Sequence, residues 1–178
     1  MGYEGHLMMV ADRAERIAQV EAAMHDLLRA HDEVGGKIVS GGGTGTFDTN
    51  TWCTEIQAGS YTLMDTHYDS LDLPFSIAAS LLGTVISVSP KGWLVVDVGL
   101  KSLGMDHGDP SWPEGDVFFC SDEHTTLVPR DGVDGWNVGD RTRLFPAHID
   151  PTVARHRSMW LVDGPRVLDQ WAVDLRHW

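Results

Sequence analysis

Near residue 80 the chain changes its hydrophobic period, and few architectures accommodate both halves. Over residues 11–34, Ile17, Val20, Met24, Leu27 and Leu28 recur at three- and four-residue steps, while Arg13, Glu15, Arg16, Asp26 and Arg29 take other faces. That pattern predicts an amphipathic helix, stopped by Gly35 and Gly36. Lys37-Ile38-Val39-Ser40 then reads as a short buried strand running into Gly41-Gly42-Gly43-Thr44-Gly45-Thr46. Glu55-Ile56-Gln57 and Tyr61-Thr62-Leu63-Met64 look extended. Beyond residue 80 the period becomes that of strands. Residues 79–90 and 93–98 read as a hairpin turned at Pro90-Lys91-Gly92, and strands follow at 117–120, 125–128, 141–145, 158–162 and 167–173. Asp163-Gly164-Pro165 joins the last two.

A helix-and-strand part therefore leads into an all-β part. The first part supplies about one strand–helix–strand unit, and such parallel units need further strands beside them. The opening Gly2-Tyr3-Glu4-Gly5-His6 does not resemble the start of a domain. The expectation is an incomplete chain.

Composition narrows the partners. A formal charge of −13 argues against nucleic acid and anionic membranes. Cys53 and Cys120 are too few for a disulfide framework and form no CxxC pair. With no signal-peptide layout and no apolar run of about 18 residues, a cytoplasmic protein is expected.

Three constellations could carry chemistry. The glycine loop could cradle a phosphate through backbone N–H groups, with a threonine hydroxyl added. It matches neither the P-loop nor the dinucleotide fingerprint, and a flexible turn has the same composition. His148-x-Asp150 would place an imidazole and a carboxylate on one side of an extended segment, within reach of one divalent ion. The same spacing recurs at His67-x-Asp69 and His107-x-Asp109, so spacing alone singles out none of the three. Ser121-Asp122-Glu123-His124 offers a histidine beside carboxylates, either a general base or a solvated loop. The tryptophans from Trp93 to Trp171 read as core and interface packing of the β part.

In order and spacing these pieces resemble the D-threonine aldolase family. The resemblance rests on Gly2 to Leu7, Ser40 to Thr46, Glu55 to Tyr61, Met64-Asp65, Val96 to Lys101, Ser121 to His124, Pro146 to Thr152, and Trp171 to Arg176. It implies an alanine-racemase-like fold of class α/β plus all-β. Residues 1–66 would be the last βα units of a TIM-like (β/α)8 barrel that binds pyridoxal 5'-phosphate, and 67–178 a C-terminal β domain with a metal site. On that mapping Ser40, Gly42, Gly43, Thr44 and Tyr61 hold the cofactor, and His124 is a candidate for proton transfer. His148 and Asp150 hold a divalent ion: manganese, magnesium or zinc. Only this H-x-D of the three sits in the family's Pro-x-His-x-Asp-Pro-Thr frame.

The implied reaction is cleavage of a D-3-hydroxy amino acid to glycine and an aldehyde. The rival within the family is a D-serine dehydratase-type eliminase, in which a cysteine stands at the position of Asp150. The family's Schiff-base lysine lies near the start of the barrel, and Lys37, Lys91 and Lys101 occupy other motifs. The chain is accordingly expected to be inactive alone. It is either a non-catalytic fragment or a portion that needs a separate N-terminal half-barrel, homodimeric when complete.

Overall fold

The computed structural model describes residues 4–176. The chain divides into two compact units. One comprises the chain through Thr62 together with Tyr68–Ser76; the other comprises Leu63–His67 and the chain from Ile77 onward.

The first unit is built on helix α1, Arg13–Val34. Asp12 caps its start, with a side-chain oxygen accepting from Glu15 N at 2.8 Å. Gly35, at φ +77°, ends it in a conformation that side chains disfavour. Of the periodic apolar residues, Val20 and Met24 are fully covered. The strand expected at 37–40 is shorter and shifted. Strand β1 is Ser40–Gly41, paired in parallel with β2, Glu55–Ile56. Val39 is buried but Ile38 is 64% exposed. Two parallel strands bury little by themselves, which is why the apolar run before β1 does not extend the pairing.

The second expected extended segment is also corrected. Ser60–Thr62 forms a 3-10 turn, with the Thr62 amide and hydroxyl both donating to Gly59 O. The tight local bonding of a threonine to a preceding glycine carbonyl outcompetes strand geometry here. Helix α2, Thr66–Asp69, follows.

The second unit is a five-stranded antiparallel sheet. Its strands are β3 (Leu81–Ser89), β4 (Trp93–Val96), β5 (Gly115–Cys120), β6 (Thr125–Pro129) and β7 (Arg141–Leu144). The spatial order is β5-β6-β4-β3-β7. Alternation drives one face inward: Val85, Leu94, Val96, Leu127 and Leu144 are buried around Val98, Leu103 and Trp112. A six-residue helix α3, Ile149–Ala154, follows β7, and the hairpin of β8 (Ser158–Asp163) and β9 (Arg166–Ala172) comes after it.

The tryptophans divide between core and surface. Trp112 is buried, donates from Nε1 to Thr142 Oγ1 at 2.7 Å and meets Trp136 at 5.7 Å between ring centroids. Trp93, Trp160 and Trp171 are exposed, the last two because both faces of the β8–β9 hairpin are open. No helix among the described residues is long and apolar enough to cross a membrane.

Candidate functional site

Two sets of candidate residues emerge, one in each unit. In the first unit the glycine loop closes on a carboxylate. Glu4 is fully buried and accepts from Gly42 N at 3.0 Å, Thr46 Oγ1 at 2.8 Å and Asn50 Nδ2 at 2.8 Å. Gly42 sits at φ +74°, and a Cβ there would lie 3.2 Å from Ile56 Cδ1. At Gly45 a Cβ would fall 2.5 Å from Met8 Cβ. Gly45 is therefore held to glycine by close packing, and Gly42 by its backbone conformation as well as by packing.

Fit to a cofactor phosphate follows from which donors remain. Ser40 Oγ donates to Glu55 Oε1 at 2.7 Å, Gly42 N to Glu4, and Gly43 N to Thr46 Oγ1 at 3.2 Å. Thr44 Oγ1 accepts from Tyr61 N at 3.1 Å, which leaves its own proton available to donate. Tyr61 is half exposed and lies against Phe75, ring centroids 5.2 Å apart. Ser40, Gly42 and Gly43 are thus engaged within the chain, and Thr44, though buried, is the loop hydroxyl whose proton is uncommitted. No lysine fits a covalent anchor: Lys37 and Lys91 are exposed, and Lys101 pairs with Glu123.

In the second unit, residues 146–152 are fastened from three sides. Asp65 is fully buried, and its Oδ2 accepts from Ile149 N at 2.8 Å, meeting one of the orphan amides at the start of α3. Thr66 N donates to Pro146 O at 3.1 Å. Gly104 N donates to Thr152 Oγ1 at 2.9 Å, and that hydroxyl donates to His148 O at 2.6 Å. Gly104 is closely approached: a Cβ would lie 2.3 Å from Pro151 Cγ.

The expected H-x-D pair meets by a different geometry. His148 is the extended residue before α3, and Asp150 lies in that helix's first turn rather than along a strand. Pro151 belongs to the same turn, where an amide has no intrahelical partner and proline is tolerated. His148 Nε2 and Asp150 Oδ2 are 3.7 Å apart. That is less than twice a metal–ligand bond of about 2.1 Å, so one ion can reach both.

Sequence reasoning missed what surrounds His148. Its Nδ1 is 2.6 Å from Asp106 Oδ2. The His107 ring stacks on the His148 ring, centroids 4.0 Å apart and planes within 7°. His67 lies against His107 with centroids 4.2 Å apart. The three histidines of the three H-x-D repeats therefore converge, although chance explained their spacing. Ligand atoms of Asp106, His107 and His148 all lie within 4.8 Å of one another.

The electrostatics follow from this crowding. Burial and the neighbouring His107 lower the His67 imidazole against an upward pull from Asp65, and His148 lowers it further. Burial raises the Asp106 carboxyl, but bonds from His148 and from its own backbone, with both adjacent imidazoles, bring it below the ordinary value.

His124 stands apart from this group. It is exposed in the turn between β5 and β6, its carbonyl accepting from Ser121 N and Oγ. The neighbouring Glu123 pairs with Lys101, which holds its carboxyl below the ordinary value. Leu100 N and Lys101 N donate to Ser121 O and Asp122 O, so this turn is braced against residues 99–101.

The fold is that of the alanine-racemase-like pyridoxal-phosphate enzymes, represented here by the crystal structure of D-threonine aldolase from Filomicrobium marinum. That structure overlays with a TM-score of 0.85 at 29% identity, covering 98% of this chain and 52% of that one. A family model described as a putative serine dehydratase domain matches residues 78–162. A 3-hydroxy-D-aspartate aldolase of Paracoccus denitrificans is 32% identical over 98% of this chain and 50% of its own length. A D-threonine aldolase of an Arthrobacter species is 31% identical over the same shares. The chain belongs to the D-threonine aldolase family and corresponds to its C-terminal half. It spans about half the length of the curated relatives it matches.

Proposed function

We propose that this chain is the metal-binding portion of a pyridoxal-phosphate- and divalent-metal-dependent aldolase. The complete enzyme would cleave D-3-hydroxy amino acids of the D-threonine type to glycine and an aldehyde. The observation that carries the reading is the pair His148 Nε2 and Asp150 Oδ2, 3.7 Å apart at the start of α3. Those two atoms would hold the ion, which acts as a Lewis acid on the substrate's β-hydroxyl and orients the bond to be broken. Asp65 and Thr152 keep the pair in place by fixing the turn that carries it. Thr44 would donate from its hydroxyl to the cofactor's phosphate. When bound, pyridoxal phosphate supplies the electron sink for the carbon that loses its aldehyde. The covalent anchor would come from a lysine outside this chain, since none of its own three fits.

An oxygen ligand at position 150 favours a hard ion such as manganese or magnesium over zinc. The dehydratase reading keeps some support from the description of the matching family model. The test is to co-express this chain with a family N-terminal half-barrel and supply D-threonine, cofactor and Mn2+. Glycine and acetaldehyde should appear, and Asp150→Ala should abolish them with cofactor absorbance retained. Ammonia and an oxo acid as main products would favour the dehydratase instead. No turnover of either kind would refute the reading.

A further inference from the structure

We propose that Asp106 is the positioning residue for the metal-binding histidine, holding His148 Nδ1–H so that Nε2 faces the ion. This rests on the metal reading above and adds a residue to it.

Three observations carry the assignment. First, Nδ1 of His148 and Oδ2 of Asp106 are 2.6 Å apart, within hydrogen-bond distance. An aspartate is ionised near neutral pH and can only accept, so the proton of that bond must sit on Nδ1. That bond engages Nδ1 and leaves Nε2 as the nitrogen open to a metal. Second, Nε2 is the nitrogen that lies towards Asp150, at 3.7 Å. The two nitrogens leave the ring in opposing directions, so an ion on Nε2 lies beyond reach of the oxygen bound at Nδ1. Third, the His107 ring lies 4.0 Å from the His148 ring and nearly parallel to it. Asp106 fixes the imidazole within its plane and its chain neighbour His107 covers its face. A parallel stack at that distance cannot direct a nitrogen of each ring to one ion, so His107 packs rather than ligates. A ligating histidine whose other nitrogen is held by a carboxylate is worth roughly tenfold to a hundredfold in metal affinity.

The test uses Mn2+ alone with the full chain, free ion being read by its electron paramagnetic resonance signal. Asp106→Ala should weaken Mn2+ binding by about tenfold to a hundredfold. Asp106→Asn keeps an oxygen that accepts from Nδ1–H, and should bind within about threefold of the parent. Asparagine as damaging as alanine would make Asp106 a ligand and overturn the positioning role. Unchanged binding by Asp106→Ala would overturn it as well. His148→Ala and Asp150→Ala test the underlying site separately: if both bind Mn2+ like the parent, the metal reading fails whatever Asp106 does. A second measurement is independent of metal and of the stability of any variant. Long-range 1H–15N spectra of the metal-free parent, recorded at a pH where the imidazole is neutral, should show the His148 proton on Nδ1. The opposite tautomer would overturn the proposal.

Discussion

Replacing Glu4 by alanine should open the glycine loop and leave the β sheet of the second unit intact. The carboxylate is fully buried and takes three donors: the Gly42 amide, the Thr46 hydroxyl and the Asn50 side-chain amide. A hydroxyl can rotate to another acceptor, so two fixed donors are stranded in Glu4→Ala. Each unmade hydrogen bond of a buried group costs about 1–3 kcal/mol, giving about 2–6 kcal/mol for the pair. Against a typical whole-domain stability of about 5–15 kcal/mol, a loss in this range is decisive for so small a unit. Glu4→Gln keeps one accepting oxygen but turns an NH2 towards a donor, and should lose about 1–3 kcal/mol. Hydrogen exchange read by mass spectrometry localises the effect. Peptides over residues 39–57 should lose protection in the order Gln, then Ala, while peptides over β3–β7 stay as in the parent. Equal exchange over the loop in parent and Glu4→Ala would refute the account of Glu4 as the anion around which the loop folds.

Three further outcomes are expected. Gly104→Ala would press a Cβ to 2.3 Å from Pro151 Cγ and 3.2 Å from His148 O, so the melting temperature should fall with a cost of about 1–3 kcal/mol; Mn2+ affinity should fall with it. Cys120 is buried and its thiol is pushed up by burial, so iodoacetamide at neutral pH should modify the half-buried Cys53 first and reach Cys120 only on denaturation, as peptide mapping would check. The purified chain should show no D-threonine cleavage, and pyridoxal phosphate added to it should leave no absorbance change after gel filtration; a retained adduct mapped to Lys37, Lys91 or Lys101 would overturn this.

Local pattern carried most of the architecture. The three- and four-residue steps of α1, its glycine stop and the alternation through β3 to β9 are each written within a dozen residues, and each forms near its expected bounds. Failures occur where a local pattern is outcompeted by a local bond or a missing neighbour. His148-x-Asp150 reads as an extended segment, whereas Asp150 and Pro151 lie in a first helical turn. Ile38 and Val39 read like a buried strand, which needs flanking strands to be one.

What spacing could not reveal is pairing across the chain. Asp106 is 42 residues from His148, and Glu4 is 38 residues from Gly42, so no window contains either partnership. The repeated H-x-D shows the point from the other side. Judged by frequency, the repeats at His67 and His107 look accidental, yet the fold gathers all three imidazoles.

Division of the chain into two compact units makes its two candidate roles separable by experiment. Every residue that fixes the metal pair, from Asp65 and Gly104 through Asp106 to Thr152, belongs to the second unit. Glu4, Thr44, Thr46 and Asn50, which shape the glycine loop, belong to the first. A substitution in one set should therefore change its own readout and spare the other. Mn2+ binding that survives Glu4→Ala, together with loop protection that survives Asp106→Ala, would be the signature of that independence. Loss of Mn2+ binding in Glu4→Ala would instead show that the second unit depends on the first for its fold.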